Sequence, residues 1–221
     1  IVVDGASTDG TLSILKSKHS QINTLISKPD NGIYDAMNKG IRIATGDIIG
    51  FLNSDDFYAN NKVISKVVSE FERDSLLDAC YSDLIYVDHL KISKIVRYVK
   101  SSEFNQGLFS KGWCPPHPTF FVRRSVYERL GIFDLNYDIA SDVDLMMRFL
   151  EKHKIKSKYI PEVWVKMRMG GTTNKNLKNI WLQNKEIIHS FNKNNLSVNL
   201  LKFLVFKIIS RALQFLKRSF Q

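Results

Sequence analysis

Short apolar runs alternate with stretches of helical spacing along this chain, and polar, glycine-punctuated turns separate them. Ile1–Val3 reads as a strand, followed by the turn Asp4-Gly5-Ala6-Ser7-Thr8-Asp9-Gly10 and a helix over Thr11–His19 with Thr8 or Asp9 near its cap. Asn23–Ser27 predicts a short strand and residues 28–32 a second loop. Ile33, Met37 and Ile41, with Ala36 and Gly40 beside them, give helical spacing through Tyr34–Ala44. Ile48–Leu52 is the next strand, Asn61–Glu72 an amphipathic helix, and Ala79–Val87 a further strand. Residues 88–112 predict a hairpin and a surface segment, and three prolines keep Trp113–Pro118 out of any helix. Thr119–Val122 and Lys156–Ile160 read as strands, Ser125–Leu130 and Asp142–His153 as helices. The alternation predicts an α/β domain with a mostly parallel central sheet flanked by helices.

The 221 residues suffice for one domain and an appendage, and 44% hydrophobic with 24% charged residues is the make-up of a globular protein, not a disordered one. The two cysteines, Cys80 and Cys114, lack metal-ligand spacing, so a reducing compartment is the default. Ile1-Val2-Val3-Asp4 reads as a strand already under way, and the expectation is an excerpt that lacks its first strand.

Charge divides the chain. Residues 1–151 hold 17 Lys and Arg against 20 Asp and Glu, whereas residues 152–221 hold 15 against 2. A nearly neutral body with a strongly basic tail points to a polyanionic partner for the tail, nucleic acid or an anionic membrane. On a helical projection of residues 197–220, Lys202, Lys207, Ser210, Arg211, Gln214, Lys217 and Arg218 fall on one side, with Val205, Ile208, Ile209, Leu213 and Leu216 opposite. This suits a helix lying on an anionic membrane, with packing on the core or on another subunit as the alternative. Nucleic acid is not expected, because the tail interleaves its charges with bulky apolar residues. Residues 1–175 are read as the main domain and 176–221 as a basic helical extension.

One strand ends in an unusual way. The apolar run DIIGFL stops at Asn53-Ser54-Asp55-Asp56. Adjacent carboxylates repel and are costly to desolvate unless a cation or hydrogen bonds compensate. Ligands in α/β sheets gather at such strand ends. A hard divalent cation held by Asp55 and Asp56, Mg²⁺ or Mn²⁺, is one reading. A helix cap is the other.

Four segments together carry a resemblance: the strand followed by DGAST, the loop and helix DNGIYDAMNKG, the strand ending in NSDD, and ASDVDLMMR from Ala140 to Arg148. In order and spacing the chain resembles family 2 glycosyltransferases of the GT-A fold, of the type acting in bacterial surface polysaccharide and O-antigen assembly. The resemblance implies an inverting transfer from a nucleotide-diphosphate sugar, a UDP-sugar by preference, to a lipid-linked saccharide acceptor, at the inner face of the cytoplasmic membrane. It implies that Asp4 meets the nucleotide base and that Ala36, Asn38 and Lys39 lie beside the nucleotide. Asp35 is assigned to the base or ribose, or to loop support. Asn53 stands where the family's metal motif has its first acid, which leaves Asp55 as the better-placed ligand and Asp56 as its partner. Asp142 takes the place of the catalytic base, with Asp144 capping or supporting the helix. His117 lies near donor or acceptor, Trp113 beside it stacks on a sugar or fills the core, and Gly170-Gly171-Thr172-Thr173 forms a loop over the diphosphate. Other classes left open are a sugar nucleotidyltransferase and a non-catalytic membrane-associated assembly subunit.

Overall fold

The computed structural model describes residues 1–170 and 177–216. Val2–Asp4 (β1) and Leu25–Ser27 (β2) pair in parallel, with Thr11–Ser17 (α1) between them in sequence. Ile33–Ile43 (α2) packs against β1. Then come Ile48–Ile49 (β3), Phe57–Tyr58 (β4), Val63–Arg73 (α3), Ala79–Val87 (β5), Ile95–Val99 (β6), Phe121–Arg123 (β7), Arg124–Leu130 (α4) and Ser141–Met147 (α5). Ser157–Arg168 (β8), Leu177–Lys193 (α6) and Leu200–Leu216 (α7) complete the described chain.

The larger sheet has the order β3-β7-β5-β8-β4, with β6 on β5 beyond the end of β7. The expectation of a mostly parallel sheet needs correction. β1–β2 and β5–β8 are parallel, whereas β3–β7, β5–β7, β5–β6 and β4–β8 are antiparallel. Parallel neighbours need a crossover, and β6 instead returns on β5 through a short turn at residues 88–94.

Side chains of the central strands alternate between two cores, as the two-residue period of a strand requires. Ala79, Tyr81 and Val122 join a core with Leu145, Met146, Phe149, Ile187, Phe191 and Phe203 from the C-terminal half. Cys80, Phe121 and Val165 join a second core with Val63, Val67 and Phe71 of α3. β8 outruns its predicted end at Ile160 because the register on β5 jumps from Ser82↔Ile160 to Asp83↔Val163. Pro161 and Glu162 sit in that bulge, where proline's missing N–H is tolerated. Asp83, buried opposite, accepts from Tyr98, Tyr159 and the Ser101 N–H. α5 passes into one π-helical turn, Arg148–Lys152, closed by His153 N–H to Arg148 O at 3.0 Å. Such turns mark helices that carry sites.

Candidate active site

Asp142 sits at the second position of α5. Its Oδ1 accepts the Tyr34 hydroxyl at 3.0 Å, and the same hydroxyl lies 2.8 Å from the Ile139 carbonyl. The loop ahead of it is gripped from α6. Both carboxylate oxygens of buried Glu186 accept the N–H groups of Asp138, Ile139 and Ala140 at 3.0, 3.0 and 2.8 Å. Asp144 is fully buried, and its Oδ1 accepts from Ser190 Oγ at 2.6 Å and Asn194 Nδ2 at 3.1 Å. It therefore ties α5 to α6. Arg148 donates to the carbonyls of Leu130 and Ile132, both at 2.7 Å. Of the two acids in SDVDLMMR, Asp142 alone borders a cavity.

That cavity, about 290 Å³, lies between α7, the prolines around His117, and β5–β6. His117 stacks on Phe51 (centroids 5.5 Å apart) and meets the edge of Phe133 at 5.4 Å. Burial lowers the pKa of His117 below the ordinary value, and the Asp142 charge opposes that only in part. The imidazole is thus neutral near pH 7. Trp113 belongs to an aromatic cluster with Tyr81, Phe104 and Phe109 while also lining the cavity. Burial also raises the Cys114 thiol well above its usual range. Lys207, Ser210, Arg211 and Gln214 of α7 form the cavity's outer wall, with Arg97 of β6 beside them.

The C-terminal helix turns Lys207, Ser210, Arg211 and Gln214 of its basic side toward the body of the protein, while Leu201, Ile208, Ile209 and Leu213 are 74%, 69%, 49% and 47% exposed. Two anchors hold it so: Phe203 is buried against Phe191, and Gly112 abuts the Lys207 backbone. Gly112 has φ +70, and a Cβ there would come within 2.9 Å of Lys207 Cβ, so both its conformation and its closeness require glycine. Lys217 and Arg218, like Gly171, Thr172 and Thr173, lie outside the described residues.

The residues expected beside a nucleotide lie away from this cavity's lining. Asp4 is buried at the end of β1, where Ser7 and, at 2.6 Å, Ser27 Oγ donate to it; these hydroxyls lower its pKa, Ser27 most. Asp35 accepts the Asn31 N–H at 3.1 Å and pairs with Lys39 at 3.2 Å, and the Asn31 bond is the larger cause of its lowered pKa. Asp4 thus ties the turn after β1 to β2, and Asp35 ties the loop before α2 to that helix. Asn38, expected beside the nucleotide, is 1% exposed, and its amide exchanges two hydrogen bonds with the Phe133 backbone, at 2.9 and 3.0 Å. It fixes the loop that leads to α5.

At the NSDD turn, Asp55 is exposed and Asp56 is buried. Asp56 accepts from Asn53 Nδ2 at 3.1 Å and from the Arg168 N–H at 3.3 Å. Burial first, and Asp55 second, push its pKa up to about 6. Among the described residues no cluster of three or more His, Cys, Asp or Glu could enclose a metal. The donor set still suits a hard cation that takes one carboxylate oxygen and completes its shell with phosphate oxygens and water, as Mg²⁺ commonly does. Asp55 is the residue free to supply that oxygen, with Asp56 spent on anchoring the turn to β8.

Sequence reading missed Tyr34, Glu186, Arg97, Lys207 and Arg211 as parts of one site. Tyr34 lay within DNGIYDAMNKG, and Glu186 is one of only two acids in residues 152–221, a signal that was present.

Known proteins resemble this chain in sequence and in fold. A glycosyltransferase of PGL/p-HBAD biosynthesis from Mycobacterium bovis is 29% identical over 166 residues, covering 72% of this chain and 61% of the relative. An uncharacterized glycosyltransferase of Mycobacterium tuberculosis is 30% identical over 148 residues, 67% of this chain and 55% of the relative. The chain thus spans roughly three-fifths of the length of such relatives. Among solved structures, Staphylococcus aureus TarS 1–349 in complex with UDP-GlcNAc superposes with a TM-score of 0.59 at 15% identity, over 99% of this chain and 62% of that one. The mannosyltransferase PcManGT of Pyrobaculum calidifontis, in complex with GDP-Man and Mn²⁺, gives 0.59 at 18% identity, over 99% and 63%. The fold is therefore of the GT-A glycosyltransferase type. Residues 1–131, which include the DGAST, DNGIYDAMNKG and NSDD segments, match the model of Glycosyl transferase family 2, and the chain belongs to that family.

Proposed function

We propose that this chain transfers a glycosyl unit from a nucleoside diphosphate sugar, a UDP-sugar in our reading, to a hydroxyl of a lipid-linked saccharide, with inversion at the anomeric carbon. The observation that carries this reading is Asp142: an acid fixed at a helix start by Tyr34 and bordering a cavity.

The acceptor oxygen attacks the anomeric carbon and forms the new glycosidic bond while its proton passes to Asp142. The bond from that carbon to the diphosphate breaks, and the nucleoside diphosphate leaves with the electron pair. A single displacement from the opposite face inverts the centre. The Tyr34 hydroxyl and the Val143 N–H both fall on Oδ1 of Asp142, so Oδ2 takes the proton. Mg²⁺ or Mn²⁺, held through Asp55 when bound, stabilises the charge developing on the diphosphate as a Lewis acid. Asp4 and Asp35 shape the loops against the base and ribose. His117, neutral, packs between the two substrates.

None of the described helices is long and apolar enough to cross a membrane. In our reading α7 instead lays its exposed apolar side into the lipid at the inner face of the cytoplasmic membrane, beside the acceptor. The test is turnover of UDP-sugars with lipid-linked saccharide acceptors and Mg²⁺ or Mn²⁺, with the product's anomeric configuration read by NMR. Retention of configuration, or undiminished turnover in Asp142→Asn, overturns the reading.

A further inference from the structure

We propose that the cavity under α7 is a subsite for one neutral pyranose ring, the sugar that presents the attacking hydroxyl to Asp142, and that Tyr86, Gln183, Ser210 and Gln214 select it. The inference rests on the glycosyl-transfer reading, which makes this sugar the acceptor's, and names the residues that choose it.

The cavity's lining holds polar groups that no described residue satisfies. The Tyr86 hydroxyl, the His117 imidazole and the Ser210 hydroxyl border it and take part in no hydrogen bond with a described residue. Gln183 and Gln214 engage only their carbonyl oxygens, with Lys207 at 3.4 Å and Arg97 at 2.7 Å, which leaves their amide N–H groups without a protein partner. All these groups are neutral, and the hydroxyls and the imidazole both donate and accept. The cations of the lining are by contrast engaged within the protein. Lys207 donates to Asn184 Oδ1 at 2.7 Å, Arg97 donates to Gln214, and Arg211 has partners as well. A ligand here must offer several hydroxyl-like groups, since a polar group left unpaired when water is displaced is costly. A sugar ring does so at its rim, and its C–H faces fit the apolar wall of Trp113, Met146 and Met167.

Position assigns this ring to the acceptor and not the donor. Asp142 borders the same cavity, whereas Asp55 does not. At about 290 Å³, the small end of ligand pockets, the cavity admits one ring and not a chain of them. Gln183, Ser210 and Gln214 lie beyond residues 1–131, which match the family model. In this arrangement α6 and α7 set the acceptor sugar without altering the donor half.

The test uses the full chain saturated with UDP and Mg²⁺. Saturation-transfer NMR titrates it with the methyl pyranosides of glucose, galactose, mannose, rhamnose and N-acetylglucosamine, and with benzyl alcohol as an apolar probe. At least one pyranoside is expected to bind more tightly than benzyl alcohol, and about tenfold or more weakly in Gln183→Ala/Ser210→Ala, as loss of two hydrogen bonds implies. Tyr86→Phe, which keeps the ring 5.0 Å from the Arg97 guanidinium and removes only the hydroxyl, moves affinity in the same direction. UDP affinity stays constant in all variants. Equal pyranoside affinity in wild type and variants, benzyl alcohol bound as tightly as any pyranoside, or no pyranoside bound by a chain that binds UDP each overturns the site. Loss of the pyranoside when UDP is replaced by a UDP-sugar that the chain binds assigns the cavity to the donor's sugar and overturns the acceptor assignment. A chain that binds a pyranoside but not UDP keeps the sugar site and instead removes the transferase reading.

Discussion

The Tyr34 hydroxyl lies 3.0 Å from Oδ1 of Asp142 and joins α2 to α5 across 108 positions of sequence. Burial, reinforced by the Asp142 charge, raises the phenol's pKa, so Tyr34 remains a hydrogen-bond donor throughout any working pH range. A carboxylate held this way has a fixed direction and one oxygen spare, which is what a general base needs.

Asp142→Asn should lower turnover by about 10²–10⁴-fold, the range for loss of a general base. Asn keeps the acceptor oxygen for Tyr34 but cannot take a proton. Melting temperature and UDP affinity should stay near wild type. A variant with normal turnover would leave Asp142 as a helix cap only. Tyr34→Phe should give a smaller fall, with UDP affinity again unchanged.

Glu186 is a positioning residue for the same base. Its carboxylate takes the three backbone N–H groups of Asp138, Ile139 and Ala140, just before Ser141. Glu186→Leu leaves those donors unsatisfied and should cost on the order of 3 kcal/mol in urea unfolding. Glu186→Gln retains an acceptor oxygen, so it should cost less while still lowering kcat more than it changes UDP affinity. A Gln variant with wild-type kcat would assign Glu186 to stability alone.

Much of this was legible in the chain. The strand Ala79–Val87 matched its observed bounds, and α2 and α3 shifted by one or two residues, because each of these helices keeps strict apolar spacing. β4 was not legible, since two residues paired with the far end of β8 carry no periodic signal. The extent of β8 was hidden by Pro161, which normally ends a strand. Asp142 was singled out through its motif, but the residues that hold it and its loop, Tyr34 and Glu186, come from distant helices, and only tertiary packing brings them together. For α7 the amphipathic pattern was legible and its facing was not. A projection separates two sides without stating which one meets the protein, and Phe203 and Gly112 decide that here.

Asp55→Ala should abolish the stabilisation that UDP with Mg²⁺ or Mn²⁺ gives in a thermal melt, with the melting temperature of the free chain unchanged, since Asp55 is exposed and Asp56 anchors the turn. Asp56→Ala should instead lower the free chain's melting temperature. Equal metal response in Asp55→Ala and wild type removes Asp55 as a ligand.

The exposed apolar side of α7 should bind vesicles with little dependence on salt, because the interaction is burial of apolar surface and not screened charge. Leu201→Ser/Ile208→Ser should release the chain from vesicles without altering UDP affinity. Loss of wild-type binding at high salt would favour the exposed Lys202 and other surface charges. Concentration-dependent dimerisation abolished by the same substitutions would make a second copy the partner.

Lys207 gives the chain a pH signature. Its ammonium faces Arg211 from the same helix, Cys114 and Asp142 from the cavity wall, and the amides of Gln183 and Asn184 on α6. Burial, with Arg211 adding to it, pushes its pKa down to about 8 from 10.5, and the opposing charge on Asp142 does not restore it. Between those two values the unfolded chain holds more protons at this site than the folded chain, so folding stability rises with pH across that window. Below about pH 8 the cost of a buried ammonium is fully present, and above 10.5 it is gone. Lys207→Met removes the titration. The variant should therefore be more stable than wild type at pH 7, and the gap should close as pH rises from 8 to 10.5. Urea unfolding of both chains across that range measures it. A gap that stays constant with pH means that the ammonium remains solvated when the chain is folded, and α7 is then not seated on the cavity as described.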